Sequence, residues 1–426
     1  MLVQFKFNNF KCFRNETVLN LVASNYFKEN PANVTLKDHY SVVNSAVVYG
    51  ANASGKTKLC QAFNFMRTVV LYSANNKNNG VWQDMYDMFK LNTASAKETS
   101  SFEVVFIINN IQYRYGFELN KERIVTEWLF RKKVKEVCII YRDDSELTYN
   151  SKYFNSKIAE NLKSANMVRL DALFLSALSV WNDTLASEIT EWFYDANVLS
   201  TSINNYMNYS FSKLDTPMKD RILSMLNGAD IGIEDIEPNE VSVDNIPDEI
   251  KRMLPKEALN GKVYNGIKTT HKVYDENLLP VGTATLTLEN DESYGTAKIF
   301  ALSAPILDTL ESGKILWIDE IDNGLHYLLL VALIKLFHSP KTNPNNAQLI
   351  ITTHNVGLLN EDELYRRDQI YITSKNRYGE SSLKPITDYS GMDKIRKSSK
   401  IGYMYLDGRL GGTPNLNDFE DNIMAI

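Results

Sequence analysis

Apolar and polar residues alternate at the start of the chain, over residues 2–7, and again over 102–106 and 113–117. A period of two predicts half-buried strands, with a turn at Asn109-Asn110 between the last two of them. A further strand is predicted over residues 18–22. Residues 99–130 are therefore expected to form a β-meander.

A different pattern begins with the continuous apolar run 46–49, which ends at Gly50. From Lys56 onward apolar residues recur every three to four positions, and this predicts a buried strand, a glycine-rich turn and a helix. Apolar runs at 315–318, 348–351 and 369–372, with a helical stretch over 325–338, predict further strands and a helix of a parallel sheet. The chain is thus predicted to be an α/β protein.

The middle of the chain separates the two halves of this α/β pattern. Residues 155–230 have a helical pattern, and the polar, proline-containing segment 235–275 predicts loops around a short helix. We therefore predict an N-terminal part at 1–120, a mixed and mainly helical insertion at 121–285, and a C-terminal part at 286–426. An insertion of roughly 160 residues has the size of an ordinary domain.

Composition excludes several classes of protein. Hydrophobic residues make up 44% and charged residues 23%, values that exclude collagen-like and wholly disordered chains. The net charge of −6 argues against bulk coating of nucleic acid, although short basic clusters at 131–135 and 394–400 leave local nucleic-acid binding open. The three cysteines are widely spaced, which favours a reducing, cytoplasmic location. The sequence has no basic–apolar leader and no 18-residue apolar stretch, so we expect neither secretion nor membrane spanning.

The turn after the 46–49 strand matches the spacing of a phosphate-binding P-loop. Its residues are Gly50, Ala51, Asn52, Ala53, Ser54, Gly55, Lys56 and Thr57. The glycines allow backbone N–H groups to turn toward phosphates, and the helix N-terminus adds partial positive charge. Lys56 is predicted to reach the β- and γ-phosphate oxygens, and Thr57 to bind Mg²⁺.

Two later strands end in polar residues suited to the same chemistry. Asp319 and Glu320 follow the 315–318 run, at the sheet edge where open α/β sheets bind ligands. Asp319 is predicted to hold Mg²⁺, and Glu320 to orient or deprotonate the attacking water. His354 follows the 348–351 run and is predicted to contact the γ-phosphate.

These motifs resemble those of ABC-type ATPases. The strings ESYGT (292–296), ILWIDEIDNGLH (315–326) and LIITTHN (349–355) follow the P-loop after a long insertion. Together with the opening FKFNNFKCF and the ending YLDGRLGGTP, they are similar to the OLD-like and RloA-like branch, which includes the ATPase subunit of the PARIS anti-phage system. The resemblance covers residues 1–120 and 285–426 and implies an ABC-ATPase-type P-loop head with an N-terminal antiparallel β-subdomain and a largely helical insertion.

The resemblance also implies roles for individual residues. Asp322 corresponds to the D-loop acid, His354 to the switch histidine, and Ser293 and Gly295 to the signature that caps the γ-phosphate of a second copy. Tyr294 and Thr296 depart from the usual signature, and no glutamine is assigned to the Q-loop. The implied cofactors are ATP and Mg²⁺, and the implied assembly is an ATP-bridged homodimer or higher oligomer.

At the level of function, the resemblance implies a sensor or scaffold subunit of an abortive-infection complex. Such a subunit controls a separate toxic effector, expected to be a nuclease, and responds to a phage-encoded trigger. About 70 residues follow His354, too few for a nuclease domain of ordinary size. We therefore expect the nuclease to be another protein.

Two alternatives remain at this point. An SMC-like ATPase of DNA repair or DNA end processing would place a long heptad coiled coil in the insertion, and residues 121–285 have no sustained heptad pattern. A non-catalytic scaffold would bind ATP only as structural glue. Glu320 distinguishes the scaffold from an enzyme, because only hydrolysis requires that carboxylate.

Overall fold

The computed structural model of the chain describes residues 1–414, apart from 38–39, 76–80, 145, 166, 200–203, 230, 242–262, 362, 391–393 and 397. The chain forms two compact units. The first comprises Met1–Thr201, Leu310–Asp322 and Val331–Ile426, and the second comprises Ser202–Thr309 and Asn323–Leu330. Among the described residues, no helix combines the length and the apolarity that crossing a membrane requires.

Strands and helices follow one another in groups along the chain. The strands are β1 Leu2–Asn8, β2 Thr17–Asn20, β3 Val34–Lys37, β4 Tyr40–Val43, β5 Ser45–Tyr49, β6 Ser100–Ile108, β7 Ile111–Leu119, β8 Ile124–Lys132, β9 Glu136–Arg142, β10 Leu147–Tyr149, β11 Ala196–Leu199, β12 Asp235–Val241, β13 Val263–Tyr274, β14 Pro280–Thr287, β15 Ile315–Ile318, β16 Gln348–Thr352, β17 Ile370–Lys375 and β18 Ser381–Pro385. The helices are α1 Lys56–Tyr72, α2 Val81–Met85, α3 Ser156–Ser164, α4 Phe174–Val180, α5 Thr184–Asp195, α6 Asn204–Phe211, α7 Met218–Gly228, α8 Tyr294–Ser312, α9 Tyr327–His338 and α10 Ile401–Leu406.

One sheet of the first unit is antiparallel, with the strand order β10-β9-β8-β7-β6-β1-β2. Buried and half-buried side chains alternate along most of β1, as the period-two pattern predicted. Asn109 and Asn110 join β6 to β7 with φ values of 48° and 62°, the left-handed conformation that a tight hairpin turn needs. The predicted antiparallel β-subdomain is confirmed.

The other large sheet of the first unit has the order β11-β15-β16-β5-β17-β18. Its strands run parallel from β11 to β17, and β18 is antiparallel to β17. All residues of β5, β15 and β16 are buried, which explains their long apolar runs. The predicted α/β fold with a parallel sheet is therefore confirmed.

Helix α1 is fixed by aromatic contacts on both sides. The ring of Phe63 in α1 lies 5.2 Å from that of Phe5 in β1 and 4.8 Å from that of Trp317 in β15, measured between centroids. All three side chains are fully buried, and removing one large side chain from such a core costs about 3–5 kcal/mol. Because α1 contacts both sheets, the loop that precedes it has a rigid support.

Several predicted elements differ from the structure. β11 lies inside the segment predicted to be helical, and β12 and β13 lie in the segment predicted to be loops. β12 and β13 form a small antiparallel sheet with β14. Threonine and lysine residues interrupt the alternation of apolar and polar positions there, so the sequence pattern does not predict strands. The predicted boundary at residue 120 falls between the paired strands β7 and β8, and the boundary at 285 falls inside β14.

Candidate nucleotide-binding site

The P-loop joins β5 to α1 at the carboxyl edge of the parallel sheet. Ala53 and Gly55 have φ values of 61° and 122°, so the loop reverses direction through conformations that most side chains avoid. A Cβ atom on Gly50 would overlap Thr373 Oγ1 and Ser54 Oγ. Position 50 therefore requires glycine, because a side chain there would overlap neighbouring atoms.

Thr373 of β17 supports the loop from the neighbouring strand. Its Oγ1 donates to Tyr49 O at 3.0 Å and lies 2.7 Å from Ser54 Oγ. Thr373 is fully buried, so these hydrogen bonds are shielded from water. Sequence reasoning missed this residue, although a threonine after the apolar run of β17 was a visible signal.

Lys56 is buried, and its ammonium group forms hydrogen bonds to the P-loop itself. Nζ donates to Gly50 O at 2.7 Å and to Ala51 O at 3.2 Å. Burial lowers the pKa of Lys56, while the carboxylates of Glu320, Asp319 and Asp322 act in the opposite direction. Within the described ranges the ammonium bonds to these carbonyl oxygens, and a buried cation of this kind can bind an anion such as a phosphate.

Asp319 follows β15, and Thr352 of the adjacent β16 orients its carboxylate. Thr352 Oγ1 donates to Asp319 Oδ1 at 2.6 Å. Asp319 Oδ2 is buried and has no hydrogen-bond partner in the part of the chain that the structure describes. Such an orphaned carboxylate oxygen is costly unless a cation neutralises it. A carboxylate and the hydroxyl of Thr57, in the first turn of α1, are oxygen donors that suit Mg²⁺.

Glu320 has a strained backbone at the same edge. Its φ is 49°, a value that costs a non-glycine residue on the order of 1 kcal/mol or more and is concentrated at functional sites. The Glu320 N–H donates to Thr352 Oγ1 at 2.8 Å, so one threonine hydroxyl fixes both acidic residues. Sequence reasoning did not single out Thr352 either.

His354 and Asp322 are linked through the backbone. The His354 N–H donates to Asp322 Oδ2 at 3.2 Å, and Asp322 Oδ1 is buried with no hydrogen-bond partner among the described residues. Partial burial and the charge of Lys56 lower the pKa of His354, against the opposing effect of Asp322 and the other carboxylates. The lowered pKa favours the neutral imidazole, which has one donor and one acceptor nitrogen.

The predicted signature residues belong to the second unit. Ser293 precedes α8 and accepts a 3.1 Å hydrogen bond from the Thr296 N–H, the arrangement of an N-cap. A Cβ atom on Gly295 would lie 2.8 Å from Gly324 O, so this position also requires glycine. The first unit thus contains the P-loop together with Asp319, Glu320, Asp322 and His354, and the second contains Ser293 and Gly295.

Comparison with known proteins gives one family and a set of distant folds. A family model described as "AAA domain, putative AbiEii toxin, Type IV TA system" matches residues 45–360 of the 426. No curated protein matches the sequence.

Two solved structures illustrate the distant similarity. One is an SMC head bound to the C-terminal winged-helix domain of ScpA, with 14% identity, a TM-score of 0.41, and coverage of 90% of this chain and 97% of that chain. The other is the SMC head domain from Thermotoga maritima, with 12% identity, a TM-score of 0.39, and coverage of 90% and 98%.

Proposed function

Because the chain belongs to the AAA-domain family described for the AbiEii toxin and type IV toxin–antitoxin systems, we propose that it is an ABC-type ATPase that binds and hydrolyses Mg²⁺-ATP. One observation carries this proposal. The adjacent parallel strands β15, β16 and β5 bring the oriented Asp319 carboxylate, the Thr352 hydroxyl and the P-loop to one edge of the sheet.

Each residue at this edge has a chemical task in the proposal. Backbone N–H groups of residues 50–55 and the ammonium of Lys56 hold the phosphates, and Thr57 and Asp319 hold the metal. Bound Mg²⁺ supplies charge neutralisation at the phosphate oxygens. Glu320 accepts a proton from the attacking water, and the neutral imidazole of His354 donates a hydrogen bond to the γ-phosphate.

We further propose that ATP joins two copies of the chain. Ser293 and Gly295 of one copy contact the γ-phosphate that the P-loop of the other copy holds, and Asp322 lies at the shared boundary. ATP binding then stabilises the pair and hydrolysis releases it, so the nucleotide acts as a mechanical switch. The N-cap position of Ser293 supports this role, because a helix N-terminus favours an anion.

The biological role that we propose is a cytoplasmic sensor or scaffold in abortive infection, of the RloA-like or PARIS type. The switch restrains a separate effector, expected to be a nuclease, until a phage-encoded trigger arrives. The family description, which names a toxin–antitoxin system, supports such a pairing. A neighbouring reading frame that encodes a nuclease, toxic alone and restrained by this chain, is the expected result; repair genes there and no toxic partner would contradict the role.

Metal removal tests the enzymatic part of the proposal. We expect the purified chain to release phosphate from ATP in the presence of Mg²⁺, and EDTA to stop this release, because the charge on the phosphate oxygens is then not neutralised. A phosphate-release assay measures both states, and added Mg²⁺ should restore the rate. Turnover that is absent with Mg²⁺, or unchanged by EDTA, would contradict the proposal.

A further inference from the structure

In the second unit, acidic side chains fasten the turn between β14 and α8 to the β13–β14 hairpin. Glu289 Oε2 accepts a 3.2 Å hydrogen bond from the Ile267 N–H of β13. Asp291 Oδ2 accepts two bonds of 2.7 Å from Thr287, one from its N–H and one from its hydroxyl. The turn that leads to Ser293 is therefore attached to the hairpin by side chains as well as by the backbone.

Glu292 makes the most enclosed of these attachments. Its Oε1 accepts a 2.8 Å hydrogen bond from Thr269 Oγ1 and lies 2.7 Å from His271 Nε2. Thr269 is fully buried, and the Glu292 side chain is 10% exposed. Hydrogen bonds to a carboxylate at such a site are stronger than those at an open surface, because little water competes for them.

Ser293 is the next residue along the chain, so Glu292 restrains it directly. On its other side, the Ser293 hydroxyl caps α8 through the Thr296 N–H, and Gly295 is packed against Gly324 O. Ser293 is consequently held from both directions, by β13 through Glu292 and by the first turn of α8.

We infer that Glu292, held by Thr269 and His271 of β13, is a positioning residue that presents Ser293 to the nucleotide bound by the partner copy. The inference rests on the proposed ATP-bridged pairing. Its physical basis is preorganisation: a group that is already fixed in the free chain loses little entropy when the two copies close on ATP.

The experiment measures pairing and nucleotide binding separately. Glu292→Ala is placed in a Glu320→Gln background, and Mg²⁺-ATP-dependent self-association is followed by analytical ultracentrifugation. A fluorescent ATP analogue measures binding to single copies at low protein concentration. We expect self-association to weaken by about tenfold, because the entropy of ordering Ser293 is then lost when the two copies close on ATP, while the affinity of single copies for the analogue is unchanged.

Matched variants separate positioning from a general loss of structure. His271→Gln keeps a donor for Glu292 and should lose less than His271→Ala. Thr269→Val removes the other donor and keeps Glu292, so it tests the inference even if Glu292→Ala does not fold. Lys272→Gln is the control, because its Nζ pairs with Glu234 at 2.9 Å and not with Glu292.

The outcomes are distinct. Unchanged self-association in Glu292→Ala, or equal weakening by Lys272→Gln, would overturn the inference. A Glu320→Gln background that does not self-associate with ATP would overturn the proposed pairing itself, before Glu292 is altered.

Discussion

We expect replacement of Glu320 with glutamine to lower ATP turnover by about 10²- to 10⁴-fold, the usual contribution of a general base, and to leave ATP bound. The amide has the size of the carboxylate but cannot accept the proton of the attacking water. The backbone of residue 320 keeps its geometry, because the hydrogen bond from its N–H to Thr352 Oγ1 does not involve the altered side chain. Single-turnover phosphate release and retention of radiolabelled ATP measure the two effects.

Glu16→Gln is the matched control for this prediction. The Glu16 side chain is 62% exposed and pairs with Lys6 at 3.5 Å, so the same chemical change there should leave turnover unaltered. Turnover of Glu320→Gln within threefold of the unaltered protein would favour a chain that uses ATP only as structural glue.

We expect Lys56→Ala to weaken ATP binding by at least about thirtyfold, which corresponds to the roughly 2 kcal/mol lower bound for losing one partner of a buried charge pair. The ammonium is the buried cation on the P-loop, and its bonds to Gly50 O and Ala51 O show the position from which it can reach a phosphate. ATP turnover should fall together with ATP binding. Calorimetric titration with ATP measures the affinity.

The same variant should not unfold the protein. Burial lowers the pKa of Lys56, which means that the charged form is less favourable in the folded chain than in the unfolded chain. Removing the ammonium therefore relieves a desolvation cost that offsets the loss of the buried side chain, and thermal unfolding should occur within a few degrees of the unaltered temperature. Lys58→Ala, which removes a lysine whose Nζ bonds to Gln61, is the control and should keep ATP affinity.

The sequence predicted the site best where a chemical motif directly follows an apolar strand. The P-loop, Asp319 and Glu320 each follow an apolar strand, and parallel strands must bring their carboxyl ends to one edge. Local pattern was therefore enough to predict which of these side chains would come together. The Asn109-Asn110 turn was predicted for a similar reason, because asparagine tolerates positive φ.

The sequence did not predict the hydrogen bonds of two threonines or the short strand β11, because these depend on partners far away in the sequence. Thr352 and Thr373 act through hydrogen bonds to residues 33 and 324 positions away, and a threonine has no motif of its own. β11 has four residues in a helical context and is a strand because it pairs with β15. Tertiary pairing overrides local propensity in such segments.

Phosphate release from an equimolar mixture of Lys56→Ala and Ser293→Arg shows whether two copies of the chain share each nucleotide site. Each variant alone should be inactive, because every nucleotide site then contains the defect. In a mixed dimer, one site combines an intact P-loop with an intact Ser293, so the mixture should regain about a quarter of the original rate if copies pair at random. A mixture no more active than its two components would contradict an account in which two copies share each nucleotide.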